Sequence, residues 1–304
     1  MNEDLNLLLT DVDALIDRHR QNKGAEKFRS PVDYLADMFE TERPAAHLPW
    51  SKTHGEFSLR PGEVTIWAGD SGAGKSMLVG QMIGWLLRTQ RAVIASMEMP
   101  PPVTLSRMIR QCCGNGSPSR DWVERWVHWA HGRLYIYEAS DMVPADEVLA
   151  ATAAAANVLG LDHIVIDSLM TVSINSREGR LAGEVDFMRR LVETARVEGI
   201  HVHLVAHARK PEASTRAAPS KFDIAGSANL TNLASNVVIV SKNRRKLEDK
   251  DPTPEVEAEP DLFLSVEKQR NGAHEEKYGL WFDSRSLQFV SAAGKRMPWE
   301  EPWQ

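Results

Sequence analysis

The sequence of 304 residues lacks long apolar runs, has few cysteines and carries no excess of positive charge. No apolar run approaches the roughly 20 residues that a transmembrane helix needs, so no membrane span is expected. The acidic beginning, Met1 to Asp4, lacks the basic region of a signal peptide. Cys112 and Cys113 are adjacent and have no spaced partner pair, so they indicate neither a disulfide framework nor a zinc site. A reduced, cytoplasmic setting is therefore predicted.

The charge balance limits how the protein can bind nucleic acid. The formal net charge is −6, with 42% apolar and 26% charged residues, which is typical of a globular protein. This balance argues against a generally basic surface, so any DNA contact must come from local basic loops. The length allows one large domain or two small ones, and the sequence contains no internal repeat.

One stretch carries a specific signature for phosphate binding. Residues 69–76, the P-loop, read Gly69-Asp70-Ser71-Gly72-Ala73-Gly74-Lys75-Ser76, the G-x-x-x-x-G-K-S pattern of ATPases and GTPases. An apolar, β-rich run precedes the P-loop and a segment with helical spacing follows it. Backbone N–H groups and the positive end of a helix would therefore point at phosphates. Lys75 can reach the β- and γ-phosphates of ATP, and the Ser76 hydroxyl can ligate Mg²⁺. The alternative is a glycine-rich turn without a ligand.

Strands and helices are predicted to alternate after the P-loop. Strand-like runs occur at 91–97, 133–137, 163–166 and 201–206, and helical spacing occurs near 101–112, 120–130, 144–158 and 182–198. Such alternation predicts a largely parallel sheet covered by helices. After Asn236 only strands are expected, at 237–241, 262–267, 278–282 and 287–290, and they predict an antiparallel extension. Residues 247–260, rich in Glu, Asp and Pro, are predicted to form a mobile loop.

The two ends of the chain differ from this alternating core. Residues 4–20 place apolar side chains on one face of an amphipathic helix, which either packs on its own domain or docks on a neighbouring subunit. Together with a polar stretch they give an N-terminal arm and linker of residues 1–44. The ATPase core is expected at 45–290, and the tail of residues 291–304 has no periodicity.

Three polar residues follow predicted strands and can complete a hydrolytic site, which needs a divalent cation, an activated water and positive charge. Asp167 ends the apolar run 163–166, a Walker B pattern that is weak alone but places a carboxylate beside the P-loop to hold Mg²⁺ through water. Glu98 either accepts a proton from the attacking water or caps the following helix. His207 is either a buried core histidine or a sensor of the γ-phosphate.

Lys268 and Arg270 form a cationic pair near the end of another predicted strand. Because they are two residues apart, both side chains are expected on one face of that strand. The pair either lies on a solvated sheet edge or projects into the nucleotide site of a neighbouring subunit.

These motifs, in this order, resemble those of the DnaB-type replicative helicases, whose RecA-like core is shared by phage primase-helicases and the mitochondrial Twinkle helicase. Besides the P-loop, the matching motifs are Ser96-Met97-Glu98-Met99-Pro100, Asp167-Ser168, His207, Gly226-Ser227-Ala228 and Lys268-Gln269-Arg270-Asn271-Gly272. The resemblance covers roughly residues 45–290. It implies an α/β, RecA-like P-loop NTPase fold, with a mostly parallel central sheet flanked by helices and an antiparallel C-terminal extension.

The resemblance also implies a role for each candidate residue. Lys75 and Ser76 bind phosphate and Mg²⁺, and Asp167 is the Walker B acid of the metal site. Glu98 is the catalytic base, and His207 stands where the family reads the γ-phosphate. Arg270, with Lys268, matches the finger that is inserted into the ATP site of the adjacent subunit.

The implied function is an ATP-dependent DNA helicase that forms hexameric rings around single-stranded DNA and moves 5′ to 3′. Its central loops match residues 173–180 and 209–226, and the second loop contains Arg209, Lys210, Arg216 and Lys221, which can track phosphates. The alternative for these four cations is an exposed loop without DNA. A DnaB-type amino-terminal domain or a primase does not fit in residues 1–44, so the chain resembles a helicase core with a short arm, such as a phage or a mobile element encodes. A primase or another replication protein would then be a partner.

Two other functions fit the same motifs. One is a recombinase-like or accessory ATPase that DNA stimulates but that unwinds nothing. The other is a nucleotide-dependent module that binds or loads a helicase. Glu98 and Arg270 weigh against this last function, because a pure switch needs neither fast water activation nor a finger from another subunit.

Overall fold

The computed structural model describes most of the chain after the predicted arm. The chain divides into two units, Met1–Pro44 and Ala45–Gln304, and almost all described residues belong to the second. The arm and linker predicted at residues 1–44 therefore lie outside the described residues, apart from Ser30. The described residues are 30, 45–139, 142–174, 176, 179–208, 228–272, 275–297, 301 and 303.

A nine-stranded sheet forms the centre of this unit. The strands of this sheet and of a separate two-stranded pair are, in chain order, β1 (Val64–Ala68), β2 (Ala92–Ser96), β3 (Leu134–Tyr137), β4 (Val143–Pro144), β5 (His163–Asp167), β6 (Val172–Ser173), β7 (His201–Val205), β8 (Asn236–Lys242), β9 (Leu262–Gln269), β10 (Lys277–Asp283) and β11 (Gln288–Val290). The large sheet has the order β3-β2-β5-β7-β1-β8-β9-β10-β11, and β4 pairs separately with β6. Its first six strands are parallel and the last three run antiparallel, which confirms the predicted fold class.

Helices cover both faces of the parallel part of the sheet. They are α1 (Lys75–Leu86), α2 (Pro101–Cys113), α3 (Arg120–Ala130), α4 (Ala145–Asn157), α5 (Arg180–Glu198), α6 (Ala228–Leu233), α7 (Arg244–Glu248) and α8 (Pro254–Ala258). Local sequence explains several bounds. Ser119 accepts a hydrogen bond from the Trp122 backbone at the start of α3, and Pro101 occupies the first turn of α2. Gly114, at φ 64°, ends α2 in a left-handed conformation.

The core consists of one apolar layer on each face of the sheet. Strands β1, β2, β5 and β7 are buried along their whole length, as expected for parallel strands with helices on both sides. On one face Met82 of α1, Met108 of α2 and Trp126 of α3 pack against the sheet. On the other face Val148 of α4 and Leu191 of α5 do so. The carboxyl ends of β1, β7, β5 and β2 therefore lie side by side between two helical layers.

The prediction of strands without helices after Asn236 is wrong, and so is the mobile loop at 247–260. Helices α7 and α8 lie in this segment. Asn243 accepts a hydrogen bond from the Lys246 backbone at the start of α7, and Val256 of α8 is buried. Two carboxylates at the end of the segment are paired, because Arg245 bridges Glu259 at 2.8 Å and Lys246 bridges Asp261 at 2.7 Å. The composition of the segment could not reveal this pairing.

The described residues of the tail pack against the core although their sequence has no periodicity. Met297 donates its backbone N–H to Gln288 at 3.1 Å. The Trp303 ring contacts Trp122 edge-on, with 5.3 Å between ring centroids, and also lies near Trp129. Large aromatic surfaces thus attach this end to α3. In the part of the chain that the structure describes, no helix is long and apolar enough to cross a membrane.

Candidate nucleotide-binding and catalytic site

The P-loop connects the carboxyl end of β1 to the amino end of α1. Gly69 has φ 152°, and a Cβ at this position would lie 2.1 Å from the Val240 carbonyl oxygen. Only glycine allows this close approach to β8. Gly74 precedes α1 in a left-handed conformation, at φ 93°. The loop therefore leads into a helix amino end that can bind an anion, as the sequence pattern predicts.

Lys75 lies inside the loop with only 5% of its surface exposed. Its Nζ donates to the carbonyls of Gly69 and Asp70, both at 3.0 Å, and lies 3.4 Å from His207 Nδ1. Burial lowers the pKa of Lys75, while the carboxylates of Asp167, Glu98 and Asp70 act in the opposite direction. The ammonium group is thus held among carboxylates at the mouth of a phosphate-binding loop.

Asp167 and Ser76 supply the oxygens that a magnesium ion would need. Asp167 ends β5 and is 6% exposed, and its side chain is hydrogen-bonded to Ser76. Burial raises the pKa of Asp167, and the Ser76 bond, Lys75 and His207 oppose that rise. Its Oδ1 is buried without a hydrogen-bond partner among the residues that the structure describes. A hard cation such as Mg²⁺ takes such oxygen ligands, so the residues present fit the ion.

Glu98 and His207 lie together at the same edge of the sheet. Glu98 Oε1 accepts a hydrogen bond from the buried Ser168 hydroxyl and lies 3.5 Å from His207 Nε2. The side chain of Glu98 is 39% exposed and that of His207 is 23% exposed. Glu98 does not cap α2, whose N-cap residue is Pro100 without a side-chain cap bond. His207 is likewise not a buried core histidine, because its two ring nitrogens face Lys75 and Glu98.

The strand order explains why these five side chains meet. β7 lies next to β1, β5 lies next to β7, and β2 lies next to β5. Because all four strands are parallel, the residues that follow them lie at one edge. Lys75, Ser76, Asp167, Glu98 and His207 therefore form one cluster from four separate segments. It combines a phosphate-binding cation, a pair of metal ligands and a half-exposed carboxylate that can accept a proton.

Two features beside the P-loop had no signal in the sequence. Arg244 at the start of α7 bridges Asp70 of the P-loop, with 3.0 Å between Nη2 and Oδ2. A cavity of about 330 Å³ borders Gly72–Gly74 and is walled by Phe282, Phe289 and Leu247, with Lys242 and Lys246 also lining it. Both depend on strands that are about 170 or more residues away in sequence, so no local pattern could have indicated them.

Lys268 and Arg270 lie at the opposite edge of the sheet. Gln269 pairs with Asn236 at the beginning of β8, and Asn236 pairs with Thr65 at the beginning of β1. At about 3.3 Å per residue, β1 separates this edge from the P-loop by roughly 15 Å. Both side chains turn to one side, where Lys268 donates to the carbonyls of Thr231, Asn232 and Ala234 and Arg270 to those of Asn232 and Leu233. The structure does not bring the pair to the P-loop of its own chain.

The predicted DNA-binding cations Arg209, Lys210, Arg216 and Lys221 lie outside the described residues, as do Gly226 and Ser227. The other central loop is described only in part. Ser173 ends β6 and Arg180 begins α5, where Arg180 bridges Glu184 at 2.8 Å. Contact of these loops with DNA stays a prediction.

Comparison with known proteins assigns the family. A model described as AAA domain matches residues 45–213, which is more than half of the chain. A Twinkle homologue of Arabidopsis thaliana, described as chloroplastic/mitochondrial, is 22% identical over 235 residues, which are 71% of this chain and 33% of that protein. This chain thus spans about a third of the length of the curated relative.

Solved structures share the fold at low sequence identity. A structure described as an ATPase domain has a TM-score of 0.68 at 14% identity, covering 86% of this chain and 95% of that one. A DnaB-like replicative helicase, solved in a study of its interactions with primase, has a TM-score of 0.71 at 12% identity, with 94% and 74% covered. The RadB recombinase gives 0.50 at 14% identity, with 77% and 92% covered. The chain therefore belongs to the AAA domain family, and its resemblance to the DnaB-type and Twinkle-type helicases is confirmed.

Proposed function

We propose that this protein hydrolyses ATP at the subunit interfaces of a hexameric ring and uses the reaction to move along single-stranded DNA, 5′ to 3′, as a helicase. One observation supports this proposal above the others. The P-loop, the metal ligands and the candidate base share one edge of the sheet, whereas Arg270 lies at the other edge. The arginine finger of such a site can be supplied in trans, so we assign this role to Arg270 of an adjacent subunit.

The residues of the cluster divide the work of phosphoryl transfer. Lys75 and the P-loop N–H groups hold the β- and γ-phosphates. Ser76 and Asp167 would hold Mg²⁺, which neutralises charge on the phosphate oxygens when bound. Glu98 accepts a proton from the attacking water, because its half-exposed carboxylate can contact solvent at the γ-phosphate side. His207, between Lys75 and Glu98, reports whether a γ-phosphate is present.

The cavity of about 330 Å³ beside Gly72–Gly74 would receive the nucleobase. Its Phe282 and Phe289 rings offer an apolar surface next to the phosphates, and Lys242 and Lys246 offer hydrogen-bond donors. The substrate is therefore proposed to be a nucleoside triphosphate, with ATP as the one that the resemblance implies.

Arg270 would act on the ATP of the neighbouring subunit. Its guanidinium group is always charged and presents several donors to phosphate oxygens, which suits a finger that stabilises the transferred phosphoryl group. In its own chain Arg270 is exposed and makes two surface contacts of 3.2 and 3.3 Å. Such contacts are weak enough to be exchanged for a phosphate.

DNA and protein partners belong to the same proposal. Arg209, Lys210, Arg216 and Lys221 would track the DNA backbone inside the ring, since the overall charge of −6 argues against a generally basic surface. The DnaB-like helicase among the similar structures was studied with primase. We therefore include a primase or another replication protein as a partner.

Mixing two inactive variants tests the shared site. Lys75→Ala removes the P-loop cation but keeps Arg270, and Arg270→Ala keeps its own P-loop. Each variant alone should lose most ATP turnover, since finger contributions of about 10³–10⁵ are typical of such sites. In an equal mixture about a quarter of the interfaces combine an intact P-loop with an intact finger, so part of the turnover should return. A mixture without recovery, in assemblies shown to contain both variants, contradicts the trans site.

An unwinding assay separates the helicase from the other two functions. DNA-stimulated ATP turnover with displacement of a strand from forked DNA supports the helicase, with Lys75→Ala as the inactive control. Stimulated turnover without displacement supports a recombinase-like or accessory ATPase. Slow turnover that DNA does not change supports a helicase-binding or loading module.

A further inference from the structure

Glu63 is a buried carboxylate that the proposed reaction does not use. It lies directly before β1 and is only 5% exposed. Its Oε1 accepts a hydrogen bond from Asn271 at 2.6 Å, and its Oε2 accepts one from Asn236 at 2.9 Å. Arg60 Nη1 lies 3.8 Å from Oε1. A buried carboxylate of this kind is held by hydrogen bonds to specific partners.

One partner of Glu63 directly follows Arg270, and the other begins the neighbouring strand β8. Asn271 follows Arg270 directly and is itself exposed, so its side chain reaches inward to Glu63. Asn236 begins β8 and pairs with Gln269, and the Arg270 backbone N–H donates to the Ser235 carbonyl at 2.9 Å. The residues on both sides of Arg270 are therefore held in place. Asn271 is bound to the Glu63 carboxylate, and Gln269 is paired with the beginning of β8.

We propose that Glu63 is a positioning residue for Arg270. By holding Asn271 and Asn236, its carboxylate fixes the direction in which the end of β9 presents Arg270 to the adjacent subunit. The inference depends on the proposed function of Arg270 as a finger in trans. It adds that the orientation of Arg270 depends on a residue at the start of β1. The P-loop follows the other end of the same strand.

The chemistry of Glu63→Gln makes this proposal specific. A glutamine can turn only one oxygen toward its neighbours, so its amide group must face either Asn271 or Asn236, both of which are donors here. The donor that loses its acceptor would let the end of β9 move. A displacement of about 1 Å at a catalytic group can lower the rate roughly 100-fold. Turnover should therefore fall roughly tenfold to 100-fold at unchanged nucleotide affinity.

A second change should restore the lost bond. In Glu63→Gln with Asn271→Asp, the new carboxylate accepts from the glutamine amide while the glutamine oxygen accepts from Asn236. This double variant should recover much of the turnover. Glu56→Gln is the matched control, because Glu56 is a half-buried carboxylate nearby that accepts from Tyr278 and has no contact with Asn271 in the described part of the chain. It should keep turnover within about twofold of the parent.

Mixed rings distinguish positioning from a general structural role. The parent mixture contains Lys75→Ala subunits, which donate the finger, and Arg270→Ala subunits, which carry the working P-loop. Glu63→Gln should reduce the recovered turnover roughly tenfold or more when added to the finger-donating subunit, and should leave it within about twofold when added to the other subunit. If Glu63→Gln impairs folding, Asn271→Ala removes the same contact from the exposed side and should give the same asymmetry.

The outcomes distinguish the role of Arg270 as a finger in trans from the positioning role of Glu63. Recovery in the parent mixture without the asymmetry overturns the role of Glu63 and leaves the trans finger in place. A parent mixture without recovery overturns the finger, and the positioning role with it. Equal loss from both placements of Glu63→Gln would assign the residue to the stability of β1 instead.

Discussion

Three buried histidines predict that acid destabilises the protein strongly. His163 begins β5, His201 begins β7 and His203 lies in the middle of β7, and all three are between 0% and 2% exposed. Burial lowers the pKa of all three, that of His201 to about 4. Interaction with the neighbouring histidines lowers the pKa of His163 and His203 further, whereas the Arg60 carbonyl and Glu63 oppose the change at His201.

Hydrogen bonds also disfavour a second proton on these rings. The Trp67 indole N–H must donate to His203 Nδ1, at 3.1 Å. His203 Nε2 then donates to His163 Nδ1, also at 3.1 Å, and His163 Nε2 donates to Gln90 at 2.7 Å. His201 Nδ1 donates to the Arg60 carbonyl and its Nε2 accepts from Thr65. A further proton on His203 Nδ1 or His163 Nδ1 would face the N–H group that donates to this nitrogen. One of these hydrogen bonds would then have to break.

The size and sign of the effect follow from proton linkage. The unfolded chain binds protons on these histidines below about pH 6.5, and the folded chain does not until a much lower pH. Stability is therefore complete above about pH 6.5 and is lost as the pH falls. Each histidine removes up to about 1.4 kcal/mol per pH unit. Between pH 7 and 5.5, three of them lower the free energy of unfolding by roughly 4 kcal/mol, a large part of the 5–15 kcal/mol that is usual for a domain.

Urea unfolding at pH 7 and pH 5.5 measures this change. His163→Gln should remove about a third of the pH dependence, because one titrating group is lost. His128→Gln is the matched control, because it replaces a histidine that is exposed on α3. A change of less than about 1 kcal/mol in the free energy of unfolding of the parent between the two pH values would contradict the low pKa of the three histidines in the folded chain.

Two predictions concern the proposed ATPase and DNA-binding activities. Glu98→Gln should still bind ATP and DNA but should hydrolyse ATP about 10²–10⁴-fold more slowly, because the amide cannot take the proton of water; steady-state turnover within about twofold of the parent would move the base to another residue. Arg209→Glu with Lys210→Glu should weaken single-stranded DNA binding and flatten its salt dependence, because fewer counterions are released; a salt titration with unchanged affinity and slope would make residues 209–221 an ordinary connection.

Strongly periodic segments could be predicted from the sequence, and short ones could not. The strands 92–96, 163–167 and 201–205 and the helices 101–113 and 180–198 lie within a few residues of their predicted positions. Each buries a regular apolar pattern. Helices α7 and α8 have only five residues each and are stabilised by a cap, a proline and ion pairs to the segment around Glu259. Such pairs depend on tertiary position, which composition does not contain.

The candidate site could be predicted only as far as its motifs extend. The P-loop, Asp167, Glu98 and His207 each follow a predicted strand, and parallel strands bring their ends together. The Arg244–Asp70 bridge joins residues 174 positions apart, and the Asn271–Glu63 bond joins residues 208 apart. The Asn271–Glu63 bond depends on the antiparallel return of β9 beside β8, with a bulge between Val237 and Val238, and the Arg244–Asp70 bridge depends on the parallel pairing of β8 with β1. No pattern in the sequence determines that register.

The contacts of Lys268 and Arg270 indicate different roles for the two residues, although the sequence predicts that they act together as one cationic pair. Lys268 donates to three carbonyls near the end of α6, at 2.7 to 2.9 Å, and such charge-assisted bonds to unpaired helix carbonyls stabilise the helix end. Arg270 makes only longer contacts from an exposed position. Arg270 would therefore lose little stabilisation by exchanging its contacts for a phosphate, whereas Lys268 would lose more. Helix α6 begins at Ala228, directly after the residues predicted to contact DNA. We therefore propose that Lys268 fixes the end of α6 to β9, and that only Arg270 acts as the finger in the adjacent ATP site.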